Sequence, residues 1–229
     1  MSLKKDLNIN HQTEHSQSNI LSTPLSSKIM HNYQETFEEK GYVHVKEFIP
    51  REVAKYLFEY LKFSSHARVL SRDNSYLGDE QVPGSFAPRH GDLAFQALMK
   101  QMRPTMEIIT GLDLCSTYTY VRLYREGNEL KKHTDRPSCE ISVTVKLSDT
   151  SRDGYNWPIF MEGTECILKD GDAVIYRGCD YEHWREVCKG GKKYRLGQAF
   201  LHYIDKNGPH YPEYAYDKQP YAKLFESEL

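Results

Sequence analysis

The sequence lacks three things that would assign it to a class at once. Its five cysteines, at positions 115, 139, 166, 179 and 188, form no C-x-x-C pair and are odd in number, which argues against a closed disulfide framework. Reduced thiols in a cytoplasmic setting are expected instead. Charge of one sign is also missing: 30 Lys and Arg face 32 Asp and Glu, a net charge of −2, so there is no electrostatic footprint for nucleic acid or an anionic membrane. Finally, no apolar run is long enough for a signal peptide or a bilayer span, so a soluble, unexported protein is expected. Residues 1–28, rich in Ser, Asn, Gln, His and Lys, cannot bury enough surface to offset the entropy of ordering, and are expected to form a disordered tail. The remainder, 29–229, is long enough for one sizeable core and reads as a single domain.

Within that domain two kinds of pattern follow one another. GYVHVKEFIP (41–50) alternates as a strand does, and REVAKYLFEYLKF after it places Val53, Leu57, Tyr60 and Leu61 on one helical stripe. Residues 64–90 carry Gly78, Pro83, Gly84 and Pro88 without a period, which predicts a long loop. A second helix is expected through DLAFQALMKQM and again after Pro104, with the proline as a break or kink and Gly111 as a stop. From Cys115 onward short β-rich segments alternate with turns, at 116–124, 139–147, 157–162, 165–168, 172–177, 183–188 and 193–204. Gly163-Thr164 and Lys169-Asp170-Gly171-Asp172 are the strongest turn signals. Helices outside a run of antiparallel strands predict an α+β domain on a β-sandwich or jelly roll.

His133-Thr134-Asp135 is the first chemical signal. In extended backbone, residues two apart point to the same side, so an imidazole and a carboxylate can face one ion. His183 begins a later predicted strand, where a closed sheet would bring it opposite that pair. Two histidines and one carboxylate make the facial triad of non-haem iron(II) oxygenases, which leaves coordination positions open for cosubstrate and oxygen. An H-x-D match alone is common by chance; its weight comes from Tyr124 on the preceding strand, GDAVIY before His183 and a basic pair on the strand after it.

On the stretches YVRLYREGNELKKHTDRPSCEISVTVKL, GDAVIYRGCDYEHWREV and GGKKYRLGQAFLHY, the chain resembles the iron(II)/2-oxoglutarate-dependent dioxygenases, and within them the prolyl-hydroxylase-like branch. The resemblance covers roughly residues 112–205, with a weaker likeness at 41–63. It implies a double-stranded β-helix (jelly roll, cupin-like) with N-terminal helices packed outside. It also implies iron(II) held by His133, Asp135 and His183, with 2-oxoglutarate as cosubstrate and ascorbate as a reductant. The implied outcome is hydroxylation of a C–H bond in a peptide, amino acid or small metabolite, releasing succinate and carbon dioxide. The far carboxylate of the cosubstrate should meet a basic side chain. Arg195 is preferred for its two-pronged guanidinium and for the small Gly197 and Ala199 on its face, and Lys193 is the other choice. Tyr124 would reach the cosubstrate too, although Tyr118 and Tyr120 share its face.

Other readings attach to neighbouring residues. Arg136, Arg185 and Glu186 read either as groups that orient the ligands or contact substrate, or as surface ion pairs. Trp184 faces away from His183 and reads as packing, His202 as a satisfied core histidine, Glu162 and Glu165 as solvated, and Cys139 and Cys166 as small hydrophobes. The loop at 64–90 and the segment 148–158 are expected to rim the pocket. Rival functions are a cupin-like metal-containing binding protein without turnover and a nucleic-acid demethylase, the latter disfavoured by the neutral charge.

Overall fold

The computed structural model describes residues 27–71, 78–87 and 91–218, so most of the expected N-terminal tail lies outside the described residues. The chain opens with helix α1 (Ser27–Lys40), strand β1 (Tyr42–Val45), helix α2 (Arg51–Leu70) and helix α3 (Leu93–Thr110). Eight more strands follow: β2 (Leu114–Arg125), β3 (Leu130–His133), β4 (Ile141–Asp149), β5 (Ile159–Met161), β6 (Thr164–Cys166), β7 (Ala173–Arg177), β8 (His183–Arg185) and β9 (Arg195–Asp205). They form a five-stranded sheet ordered β1-β7-β4-β9-β2 and a four-stranded sheet ordered β3-β8-β5-β6, antiparallel throughout. The two sheets face each other as a double-stranded β-helix.

The helices cover the outer face of the larger sheet. Phe58 and Leu61 of α2 and Phe95, Met99 and Met106 of α3 pack with Val143 and Val145 of β4 and Ala199 and Leu201 of β9 in one buried apolar layer. At Gly197 a Cβ would strike the Phe58 ring 2.6 Å away, so this position of β9 must be glycine for α2 to sit against the strand. The opposite face of the same strands is polar. Ser142 and Thr144 of β4 meet His202 and Gln198 of β9 there, and Gln198 reaches across to Arg185 of β8 in the smaller sheet.

Three local expectations are corrected. Residues 64–70 are the last turns of α2 rather than loop, because Ala67, Arg68, Val69 and Leu70 contain no breaker and the helix runs to Ser71. Of the predicted loop, 72–77 and 88–90 lie outside the described residues. Pro104 does not break α3. A proline inside a helix costs about 3 kcal/mol, whereas each large apolar side chain fully buried contributes about 1.5–3 kcal/mol, and α3 buries Phe95, Leu98, Met99, Met102, Met106 and Ile109 on one stripe. Asp92 caps its N-terminus by accepting from the Ala94 N–H, and Gly111 closes it at φ 70° as expected. Finally, α1 and β3 were not expected from the pattern. The boundary after residue 28 falls in the first turn of α1, and Leu130-Lys131-Lys132-His133 is too short and charged to stand out as a strand.

Candidate metal centre

Strand pairing decides the geometry of this site. His133 ends β3 and His183 begins β8, and the two are direct partners in the antiparallel register, so their rings lie 4.3 Å apart. Asp135, two residues beyond His133, is held by its backbone N–H, which donates to the Gly178 carbonyl at 2.8 Å. A side chain at Gly178 would collide with the Asp135 carboxylate and the Cys139 carbonyl, so the glycine after Arg177 is what lets the Asp135 turn approach β7. Oδ1 of Asp135 then sits 3.7 Å from Nε2 of His133 and 3.6 Å from Nε2 of His183. The three ligand atoms all lie within 4.8 Å of one another.

Hydrogen bonds on the far side of each ring set its tautomer. Nδ1 of His133 lies 2.7 Å from the Lys131 carbonyl and Nδ1 of His183 lies 3.1 Å from the Tyr181 carbonyl. A carbonyl only accepts, so each Nδ1 carries the proton and each Nε2 is left unprotonated, with a lone pair able to bind a cation. Burial holds both imidazoles below their usual range, and for His133 the nearby His183 adds to the effect. Burial also pushes the Asp135 carboxyl up to about 6, against the opposing pull of His133 and Ser142. Two neutral imidazoles and a carboxylate that lacks solvation suit a cation, which would supply the missing charge compensation.

A cavity of about 150 Å³ opens beside the three residues. Tyr118, Tyr120 and Arg122 of β2 and Phe200 and His202 of β9 form its walls, and Asp79 and Gln81 lie over it from the loop 78–87. Sequence reasoning missed these two. Gln81 donates through Nε2 to Nε2 of His133 at 2.8 Å, while Asp79 pairs with the buried Arg122 at 2.5 Å and accepts from the Tyr120 hydroxyl. Burial alone would raise the Asp79 carboxyl, but Arg122 and the hydrogen bonds outweigh it and hold the group below its usual range. The signal for Arg122 was present, since a charged residue two positions from Tyr124 must share its face of β2.

The expected acid anchor is not brought to this cavity. Arg195 lies on the face of β9 that carries Gly197 and Ala199, and that face meets the helices. Its guanidinium donates to the carbonyls of Lys192 and Tyr194, and Lys193 is exposed. The space above Gly197 is filled by Phe58 and leaves no room for a ligand. Alternation correctly grouped these residues, but a period of two does not say which face is inside. Tyr124 is buried in the barrel, edge-on to Trp157 at 5.1 Å, and its hydroxyl accepts from Arg122 at 3.3 Å, whereas Tyr118 and Tyr120 line the cavity itself.

Neighbouring residues take several roles. His202 is buried with Nδ1 2.8 Å from the Ser142 hydroxyl, and burial pulls it down to about 3. With Asp135 and Cys139 it forms a second cluster of ligand-type atoms, in which the Cys139 thiol lies 3.1 Å from the Tyr118 hydroxyl and is pushed up by burial. Arg136 stands over the Tyr118 ring and pairs with Asp217 at 2.6 Å. Trp184 stacks on Phe160 on the outer side of the small sheet, 5.3 Å between centroids. Trp157, in the segment 148–158, is buried, so part of that segment belongs to the core rather than the rim.

No protein-family model matches this sequence, and no curated protein sequence does. Solved structures match it. A prolyl-4-hydroxylase from Pseudomonas putida is 17% identical with a TM-score of 0.54, over 76% of this chain and 97% of that one. The epimerase SnoN of nogalamycin biosynthesis, in complex with Fe3+, alpha ketoglutarate and nogalamycin RO, is 13% identical with a TM-score of 0.61, over 85% and 91%. EctD from S. alaskensis with bound Fe is 14% identical with a TM-score of 0.58, over 82% of each chain. At such identities the likeness is one of fold: the chain has the jelly-roll double-stranded β-helix of these structures, with two imidazoles and a carboxylate converging beside its cavity.

Proposed function

We propose that this protein is an iron(II)- and 2-oxoglutarate-dependent oxygenase of the prolyl-hydroxylase-like branch, hydroxylating a C–H bond of a peptide, amino acid or small metabolite. The observation that carries the reading is the convergence of Nε2 of His133, Nε2 of His183 and Oδ1 of Asp135, each imidazole fixed by a backbone carbonyl, on the wall of a cavity. Three ligands on one side of an ion leave the other side open, as an oxygen-activating centre requires and a closed structural site does not. The five cysteines are free, in keeping with a reducing cytoplasmic setting.

In this reading the two imidazoles supply neutral nitrogen ligands and Asp135 an anionic oxygen. Bound iron with 2-oxoglutarate and oxygen would supply an oxidative decarboxylation that yields succinate and carbon dioxide and hydroxylates the substrate. The chain's own part is positional. The Lys131 and Tyr181 carbonyls keep both rings in register, and Leu130 and Phe200 give the cavity apolar wall that limits water near the centre. Gln81 occupies Nε2 of His133, and its side chain must turn away when that nitrogen takes a metal, while Asp79 keeps its place on Arg122.

Incubation with iron(II), ascorbate and 2-oxoglutarate labelled at the departing carboxylate tests the proposal. Labelled carbon dioxide should be released by the natural protein and not by D135A. Equal release from both would refute the assignment.

A further inference from the structure

Among the described residues, cations buried in this barrel have acids beside them, with one exception. Lys146 pairs with Asp149 at 2.6 Å, and Arg122 pairs with Asp79 at 2.5 Å. Arg185 is buried to 2% exposure, and no carboxylate among the described residues forms an ion pair with it. Its guanidinium donates to the Trp157 carbonyl and to the Gln198 side-chain oxygen, both neutral acceptors, and lies against the rings of Trp157 and Tyr124 at 4.9 Å and 5.8 Å. Gln198 is itself oriented by donating to Thr144. A charge taken out of water without a counter-charge is costly, so a guanidinium fixed in this way is built to meet an anion. Two of its five N–H groups have acceptors here, which leaves donors for a carboxylate.

The position selects the anion. Arg185 follows His183 by two residues on β8 and points to the same side, one strand repeat of roughly 6.6 Å along the strand and behind the residues that line the cavity. A five-carbon diacid with one end at the three-residue centre spans about that step. Arg122 is already neutralised by Asp79, and Arg195 and Lys193 face away. Resting on the oxygenase reading above, we infer that Arg185 holds the far carboxylate of a 2-oxo diacid in place of the basic pair at the start of the last strand. The Tyr124 hydroxyl accepts from Arg122, and its own proton is then free for the same carboxylate.

Binding, measured without turnover, decides the matter. The full chain loaded with zinc(II) is titrated with 2-oxoglutarate and with 2-oxobutyrate, which lacks the far carboxylate. Tryptophan fluorescence is the readout, since the chain has two tryptophans and the ring of Trp157 touches Arg185. The natural protein should prefer the diacid by about 10- to 100-fold, the worth of a charge-assisted hydrogen bond. R185Q should bind both acids alike while holding zinc(II) as before, R185K should keep part of the preference, and R195Q should keep all of it. Without ligand, R185Q should melt no lower than the natural protein, because it removes an uncompensated buried charge, whereas a merely structural arginine would lower the melting temperature. Retention of the full preference in R185Q or R185K, or its loss in R195Q, overturns the assignment and leaves the oxygenase reading standing. Failure of the zinc-loaded natural protein to bind 2-oxoglutarate at all overturns both.

Discussion

The two faces of the larger sheet are built from alternate residues of the same strands, yet they carry opposite chemistry. On the outer face Val143, Val145, Ala199 and Leu201 pack against α2 and α3 in an unbroken apolar layer. On the inner face Ser142, Thr144, Gln198 and His202 form hydrogen bonds to one another and across to the smaller sheet. An ordinary β-sandwich would fill that interior with aliphatic side chains. Here the helices provide an apolar core on the outside, which frees the inside of the barrel to hold polar and charged groups. The lesson is that stability and chemistry are separated by one residue along a strand, so substitutions at neighbouring positions should fail in different ways.

The largest effect should come from the inner centre. D135A removes a ligand outright, so iron affinity should fall by more than the roughly 10- to 100-fold that loss of a supporting hydrogen bond costs, with little change in melting temperature, as calorimetric titration and thermal melts would report. A D135A protein that bound iron normally would end the distinction between the faces at its most important point. On the outer side F58A leaves a cavity above Gly197 and should cost about 3–5 kcal/mol in denaturant unfolding while the centre still binds metal.

Titration sharpens the contrast further. Asp135 must be ionised to bind a cation, and its carboxyl stands raised at about 6, so metal affinity should fall about tenfold per pH unit below that value. The same raised value has a consequence for stability. Because the folded state favours the protonated acid, the contribution of Asp135 to metal-free stability is present below its unfolded value and is lost as the pH rises through about 6. Metal-free D135N should therefore lose less stability than the natural protein across that interval, which pH-dependent melting would reveal. The two histidines, lowered by burial, act in the opposite sense and favour the fold as pH rises.

Smaller changes are expected at the edges of the barrel. Q81A removes the hydrogen bond that occupies Nε2 of His133 and should tighten metal binding by about fivefold, the worth of one neutral hydrogen bond near 1 kcal/mol. Weaker binding in Q81A would mean that the loop supports the centre rather than competing for it. Least of all, R136A breaks an ion pair whose arginine is 49% exposed, and chemical unfolding should register at most about 1 kcal/mol.

Sequence by itself determined the strands between residues 116 and 204 other than β3, the amphipathic stripes of α2 and α3, the stop at Gly111, and the triad candidates His133, Asp135 and His183. These are local properties, set by period, turn chemistry and the capacity of particular side chains to bind a cation. Tertiary structure decided what no local pattern contains. It set the pairing of His133 with His183, the fit of Gly178 against Asp135, the arrival of Asp79 and Gln81 over the cavity, and the outward face of Arg195. The physical reason is symmetry: a strand has two equivalent faces until something packs on one of them. Here Phe58 and the rest of the helical layer took the face with the small residues, and the charge of Arg185 was left inside.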